Sequence, residues 1–535
     1  MQKGLRAGVH ETPLRRRALV LAALAAAVLF LTGIWWGVPA HGTWAPDELT
    51  PEEIRFAASV RFSGGWATIY PPLHYVLLAV VYWPVEALAR AVLHLDPLQA
   101  SGLLTLASRS ISCVMALGIL AAVYRTVREA AGDRAALLAA SIAGVSLPLT
   151  YYAKTVNLDV PYTFWLAVAL FFYARTFRSD RAQHFYGFAL AGMAAIATKD
   201  QAYGFFVLPA VYMAAGALFV RLSARSLPGV PAPPVLLRMA LISIAAFVVF
   251  FNLPFNAEGF AEHVRLIVGP ASADYRMFPP GAAGQGPLAR AAALQLGSAM
   301  SWPLAVACAV AVAAAFARRD AATVHLLLPA VSYYVCFIAV VGYVYDRFLL
   351  GVVVNLAIAA GPWLALWMRR GDSVRRWRAA LLAAMVVYAA ARCVSLDYLM
   401  VRDSRYGVER WVQARAGEAT IAAVGRPEYL PRTWLVPWRP LHPSLDDLEA
   451  IDPEIVVVNA SYARRFEPGT PGGAFFAALR TGAAGYRLVR AFRTPRALLP
   501  LGLEPRFRQV AEDQFSNLAK VDPLMEIYVR VSPRR

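Results

Sequence analysis

Residues 73–93, LHYVLLAVVYWPVEALARAVL, form an apolar run long enough to cross a bilayer, yet they carry Glu86 and Arg90 and run out at His94. Whether this run crosses or lies flat decides the side on which every later loop stands. The arginines settle the choice. Arg15, Arg16 and Arg17, then Arg125/Arg128/Arg134, Arg175/Arg178/Arg181, Arg221/Arg225/Arg238, Arg318/Arg319 and Arg369/Arg370/Arg375/Arg376/Arg378 are separated by two apolar spans each beyond residue 103. These nineteen basic residues face three, Lys154, Lys199 and Arg347, in the short opposite turns. All six clusters share the cytoplasmic side only if 73–93 does not cross, so it reads as a helix in the outer interface.

The remaining apolar runs, near 18–38, 103–124, 135–153, 160–177, 184–199, 201–220, 236–254, 296–316, 322–342, 348–368 and 379–397, then give about eleven transmembrane helices, with the N-terminus cytoplasmic and the C-terminus outside. The first is longer than a signal-peptide core and is read as an anchor. Composition agrees: of 535 residues 59% are hydrophobic and 16% charged, against about 25% charged in water-soluble folds. The formal charge of +18 sits at membrane-flanking loops, which argues against nucleic acid as a partner. Cys113, Cys308, Cys336 and Cys393 all fall in apolar runs, so neither a disulfide nor a zinc site is expected.

Residues 398–535 change character, with more charge and no spanning run. Strands are expected at 421–424, 454–458 and 486–492 and helices at 404–415, 444–450 and 472–482, a small α/β domain outside the membrane. It contains no glycine-rich phosphate fingerprint, nucleophile elbow or repeat. The chain therefore divides into a transmembrane domain, 1–397, and a soluble domain, 398–535. Within the first, 39–102 is an outer loop with interfacial helices, and 255–295, rich in Gly and Pro, is a lid loop.

With that topology the unusual polar groups gather on one face: Asp47 and Glu48, Tyr70-Pro71-Pro72 before His74, Lys154 and Asp159, Lys199 and Asp200, and Tyr345-Asp346-Arg347. Each has a plain alternative. Asp47 with Glu48 suits a helix start before 52–62 as well as a general base; Asp159 with Lys199 suits a structural ion pair as well as a phosphate site. Only four lysines occur, Lys3, Lys154, Lys199 and Lys520, and two stand at adjacent outer turns beside acids.

In order and sidedness, Asp47-Glu48 after the first helix, Pro71-Pro72-Leu73, Asp159-Val160-Pro161, Thr198-Lys199 and, more loosely, Tyr345-Asp346-Arg347-Phe348 resemble the GT-C superfamily of membrane glycosyltransferases. The likeness, over about residues 15–370, is to its polyprenyl-phosphate-sugar-dependent branch, with the protein O-mannosyltransferases and the aminoarabinose transferases of lipid A. The resemblance implies inverting sugar transfer from a membrane lipid carrier to an unknown glycan, lipid or protein acceptor, at the periplasmic face of a bacterial-type inner membrane. It implies Asp47 as base, with Glu48 organising its loop. Lys199 and Arg347, with Arg265 and Arg276 behind them, would bind the donor phosphate. Asp159, Lys154, Tyr70, His74, Tyr345 and Asp346 would shape the site. No cofactor or metal is implied. His74 departs from the family, where an aromatic is common, and the C-terminal α/β domain differs from the sugar-binding repeats of eukaryotic O-mannosyltransferases. The rivals are a lipid-linked glycan transporter or flippase, which would carry charge through the mid-membrane, and a non-catalytic glycan-binding receptor.

Overall fold

The computed structural model of the chain describes residues 13–40, 42–62, 69–223, 227–269, 275–369, 374–415, 417–495 and 516–531; Arg225, Arg370 and Lys3 lie outside them. It is a mostly helical membrane protein with a small sheet near the C-terminus. The helices are α1 (Pro13–Leu31), α2 (Pro51–Ser59), α3 (Leu73–Ala87), α4 (Pro97–Ala131), α5 (Asp133–Gly144), α6 (Leu147–Tyr152), α7 (Asp159–Thr176), α8 (Ala182–Ile196), α9 (Val207–Ser223) and α10 (Pro233–Phe250). They continue with α11 (Ala257–Val268), α12 (Ala282–Met300), α13 (Trp302–Ala317), α14 (Ala321–Tyr333), α15 (Leu350–Arg369), α16 (Arg375–Val401) and α17 (Ser404–Arg415).

Every apolar run identified in the sequence carries a helix, but not every helix is a full span. Among the described residues seven helices are long and apolar enough to cross a membrane, or eight if α12 and α13, bent by 113°, count as one. The run 135–153 is divided into α5 and α6 because Pro148, at the start of α6, cannot extend a preceding helix. The 255–295 segment, expected as an irregular lid, is mostly helical, as α11 and the first part of α12. Residues 270–274 between them are outside the described set.

Leu73–Val92 has the length of a span, but both its ends are tied to the loops that build the site. The Leu73 amide donates to the Ala197 carbonyl at 3.2 Å, and Glu86, three turns on, accepts from Arg55 of α2 at 2.6 Å. Glu129 of α4 binds Arg175 of α7 at 2.5 Å, joining the stretches that carry two of the arginine clusters.

The C-terminal sheet has order β2-β1-β3-β5-β4, from β1 (Ile421–Val424), β2 (Arg439–Pro440), β3 (Ile455–Asn459), β4 (Tyr486–Phe492) and β5 (Met525–Arg530). β1 pairs in parallel with β2 and β3, while β5 runs antiparallel between β3 and β4. Helices α17, α18 (Leu445–Ile451) and α19 (Pro471–Thr481) accompany it. Buried Val456 and Val458 pack with Phe475 and Leu479 on one face, and Val457 and Ile455 with Val408 and Val412 of α17 on the other, so α17 belongs to this core.

Candidate active site at the junction of four loops

The loop after α1 is built before it can carry chemistry. Thr50 accepts from the Glu53 amide while Glu53 bonds back to the Thr50 amide, a reciprocal cap for α2. With that N-terminus already capped, Asp47 is free of the capping alternative. It stands instead in a tight turn with a φ of 59°, a conformation Asp and Asn tolerate better than other side-chain-bearing residues. Asn157 holds this turn from the loop between α6 and α7, donating to the carbonyls of Pro46 at 3.1 Å and Asp47 at 2.9 Å.

Glu48 points the other way, into the protein. It receives both Arg109 Nε and Nη2 at 2.7 Å and the Val156 amide at 2.8 Å, and both side chains of the ion pair are 1% exposed. Arg109 also donates to the carbonyls of Ile34 and Trp36. This pair, α4 to first loop, is architectural. Arg109 is hidden from sequence reading because a single arginine inside a spanning run carries no spacing signal.

Arg347 meets Asp47 directly, its Nη1 donating to Asp47 Oδ2 at 2.6 Å. The guanidinium lies 4.8 Å from the centroid of the Tyr345 ring. Lys199 Nζ donates to Asp159 Oδ1 at 2.7 Å and sits 5.5 Å from the centre of Tyr70, whose own electrostatic neighbours include Arg347, Asp47 and Asp159. Four loops thus bring Asp47, Tyr70, Asp159, Lys199 and Arg347 into one cluster. Asp346 turns behind it, accepting from the hydroxyls of Tyr152 at 3.3 Å and Ser516 at 2.5 Å. Beyond Lys199, Asp159 Oδ2, the Tyr162 and Tyr333 hydroxyls and the Gln201 amide nitrogen are buried without a well-formed hydrogen bond among the described residues. Such atoms are costly unless water or a polar ligand reaches them.

The charges tune one another. Burial pushes the Asp47 carboxyl up, but Arg347, assisted by Lys520 and Lys199, pulls it net below the ordinary carboxylate range. Burial pulls the Lys199 ammonium down to about 8, against the raising effect of Asp159. Burial drives the Tyr70 phenol up, so it stays protonated.

Other sequence candidates lie apart from this cluster. Lys154 is fully buried and binds Asp397 of α16 and the carbonyls of Leu29 and Thr32, a staple between α1 and α16. Arg276 donates to the Val340 carbonyl at 2.7 Å, and Arg265 projects from the exposed face of α11. His74 is fully buried, with neither ring nitrogen hydrogen-bonded among the described residues. Asp200 contacts His263 of α11 at 3.1 Å, which anchors α11 beside Lys199.

The chain is similar to known proteins over part of its sequence and, distantly, in shape. The sequence model of the dolichyl-phosphate-mannose-protein mannosyltransferase family matches residues 101–250, from α4 to the end of α10; this stretch holds Asp159 and Lys199 but not Asp47 or Arg347. No curated protein matches the chain. Solved structures similar to it include ArnT from Cupriavidus metallidurans in the apo state, 14% identical over 85% of this chain and 95% of that one, with a TM-score of 0.48. The same protein bound to undecaprenyl phosphate is 13% identical over 96% and 98%, TM-score 0.47. The oligosaccharyltransferase of Archaeoglobus fulgidus is 12% identical over 96% and 88%, TM-score 0.46. The likeness to GT-C glycosyltransferases carried by the loop motifs is thus met by a glycosyltransferase family match, over the helices from α4 to α10.

Proposed function

We propose that this chain is an inverting glycosyltransferase that takes a sugar from a polyprenyl-phosphate carrier and delivers it to an acceptor hydroxyl at the periplasmic face of an inner membrane. The observation that carries the reading is the Asp47–Arg347 contact beside the Lys199–Asp159 pair: a base and two cations converging from separate loops. In the reaction Asp47 accepts the hydroxyl proton as the acceptor oxygen bonds to the anomeric carbon. The bond from that carbon to the phosphate oxygen breaks, and its electron pair leaves on the phosphate, where Arg347 and Lys199 meet the charge. No metal is required for that step.

The ion pair links the two substrates. With the site empty, Arg347 keeps Asp47 ionised but makes it a weak base. A donor phosphate competes for the guanidinium and so raises the proton affinity of Asp47 once the donor is in place. The buried polar atoms of Tyr162, Gln201 and Tyr333 lack a well-formed hydrogen bond among the described residues, and a sugar hydroxyl or water reaching them would supply one. The lipid carrier explains why a transferase is built in a bilayer, and the match to a mannosyltransferase family supports a lipid-linked donor.

The test is turnover of the full-length protein in nanodiscs, given a panel of labelled polyprenyl-phosphate sugars and a membrane extract as acceptor. Release of polyprenyl phosphate with label transferred is expected; no release from any donor of the panel rejects the reading. Arg347→Ala should raise the KM for the donor about tenfold or more, as loss of a charge-assisted contact to phosphate does, with Arg347→Lys restoring it only in part. An effect confined to acceptor kinetics would refute the phosphate role. The pH profile carries its own sign. Lys199 is charged below about 8 and loses its charge above it, so kcat/KM for the donor should fall on the alkaline side near pH 8. Lys199→Arg should flatten that limb.

A further inference from the structure

The turn Ser516–Lys520 belongs in sequence to the extramembrane domain, yet it is packed into the loops of the site. Asn517 is fully buried. Its amide nitrogen donates to the Pro46 carbonyl at 3.3 Å, and its side-chain oxygen accepts from the Tyr345 hydroxyl at 3.1 Å and from Lys520 Nζ at 3.0 Å. One residue earlier, Ser516 donates to Asp346. A single turn therefore touches the residue before Asp47 and the two residues before Arg347. The turn is itself fastened: the Asp522 amide donates to Asp403, and the Asp522 carboxylate accepts from the Ser404 amide at 2.9 Å and from Thr494. Three residues later β5 begins, paired in the sheet between β3 and β4.

We propose that this turn is a working part of the Asp47 site, with Asn517 and Lys520 as positioning residues: Asn517 clamps the Pro46–Asp47 turn to the Tyr345–Arg347 turn, and Lys520 holds the Asn517 side-chain oxygen and brings a cation to the clamp. The inference rests on the reading of Asp47 as the base. It makes the extramembrane domain part of the reaction centre rather than an appended binding module. The charged groups acting on Asp47 are Arg347 from the 345–348 turn, Lys199 from the turn after α8 and Lys520 from this turn. The phenols of Tyr70, Tyr343 and Tyr345 are neutral neighbours.

The experiment is an infrared pH titration of the full-length protein in nanodiscs, in which the Asp47 carboxyl band is identified as the one missing from Asp47→Asn. Lys520→Gln should raise its midpoint by about half a pH unit or more, and Lys520→Arg should return it, because only the charge has been removed and restored. Asn517→Ala should shift the midpoint the same way by loosening the Arg347 contact, and should lower kcat about tenfold with donor KM nearly unchanged, the signature of misplaced groups. A midpoint unmoved in Lys520→Gln, or moved but not restored by Arg, overturns the proposal. Should Asn517→Ala fail to fold, the lysine pair decides alone. The titration needs no turnover, so a wrong assignment of the base and a wrong assignment of this turn give different results.

Discussion

Asp47→Asn should lower sugar transfer by about a thousandfold, within the range a positioned base contributes. The substitution isolates chemistry from folding better than most. Asn is at ease at the φ of 59° that the turn imposes, and it keeps the size and the hydrogen-bonding reach of the side chain. The backbone of the turn is held by Asn157 and Asn517 through carbonyls that the substitution leaves intact. What is lost is the ability to take a proton and the ion pair with Arg347. Donor binding should therefore survive, because Arg347 no longer divides itself between a carboxylate and a phosphate. Single-turnover transfer and polyprenyl phosphate binding, measured on the same preparation, check both halves. Normal transfer by the Asn variant would remove Asp47 from the reaction.

The neighbouring acid should behave in the opposite way. Glu48→Gln leaves Arg109 as an uncompensated charge in a nearly water-free site, and removing one partner of such a pair costs about 3–5 kcal/mol. The thermal midpoint of the purified protein should fall accordingly. At temperatures where the variant is still folded, its pH profile should keep the wild-type shape, because Glu48 faces Arg109 and Val156 rather than the Asp47–Arg347 contact. An unchanged thermal midpoint would show that the pair contributes nothing to holding the first loop. On the proposed function, two adjacent acids divide into one that reacts and one that builds.

How much of this could be read from residues alone depends on the range of the signal. The C-terminal helices and strands at 404–415, 421–424 and 486–492 were legible because local alternation and flanking turns mark them. Strand β5 was not: its pairing with β3 and β4 is made across the fold, and nothing nearby in sequence announces it. The gathering of Asp47, Lys199 and Arg347 on one face followed from counting arginines between apolar runs, a long-range rule that works because a bilayer has only two sides. Which acid faces which cation did not follow. Lys154 resembles Lys199 in type and setting, yet one binds Asp397 of α16 and the other Asp159 in the site, a distinction set by helix packing. Asn517, more than 450 residues from Pro46 in sequence, offers no pattern at all.

Asp403, at the step from α16 to α17, receives Arg405, the indole of Trp36 and the Asp522 amide, and the Arg405 guanidinium lies against the rings of Trp36 and Trp44. A joint locked in this way does not swing. The C-terminal unit is carried on the last long helix like a lamp fixed to its post, held at one bearing to the helices beneath it.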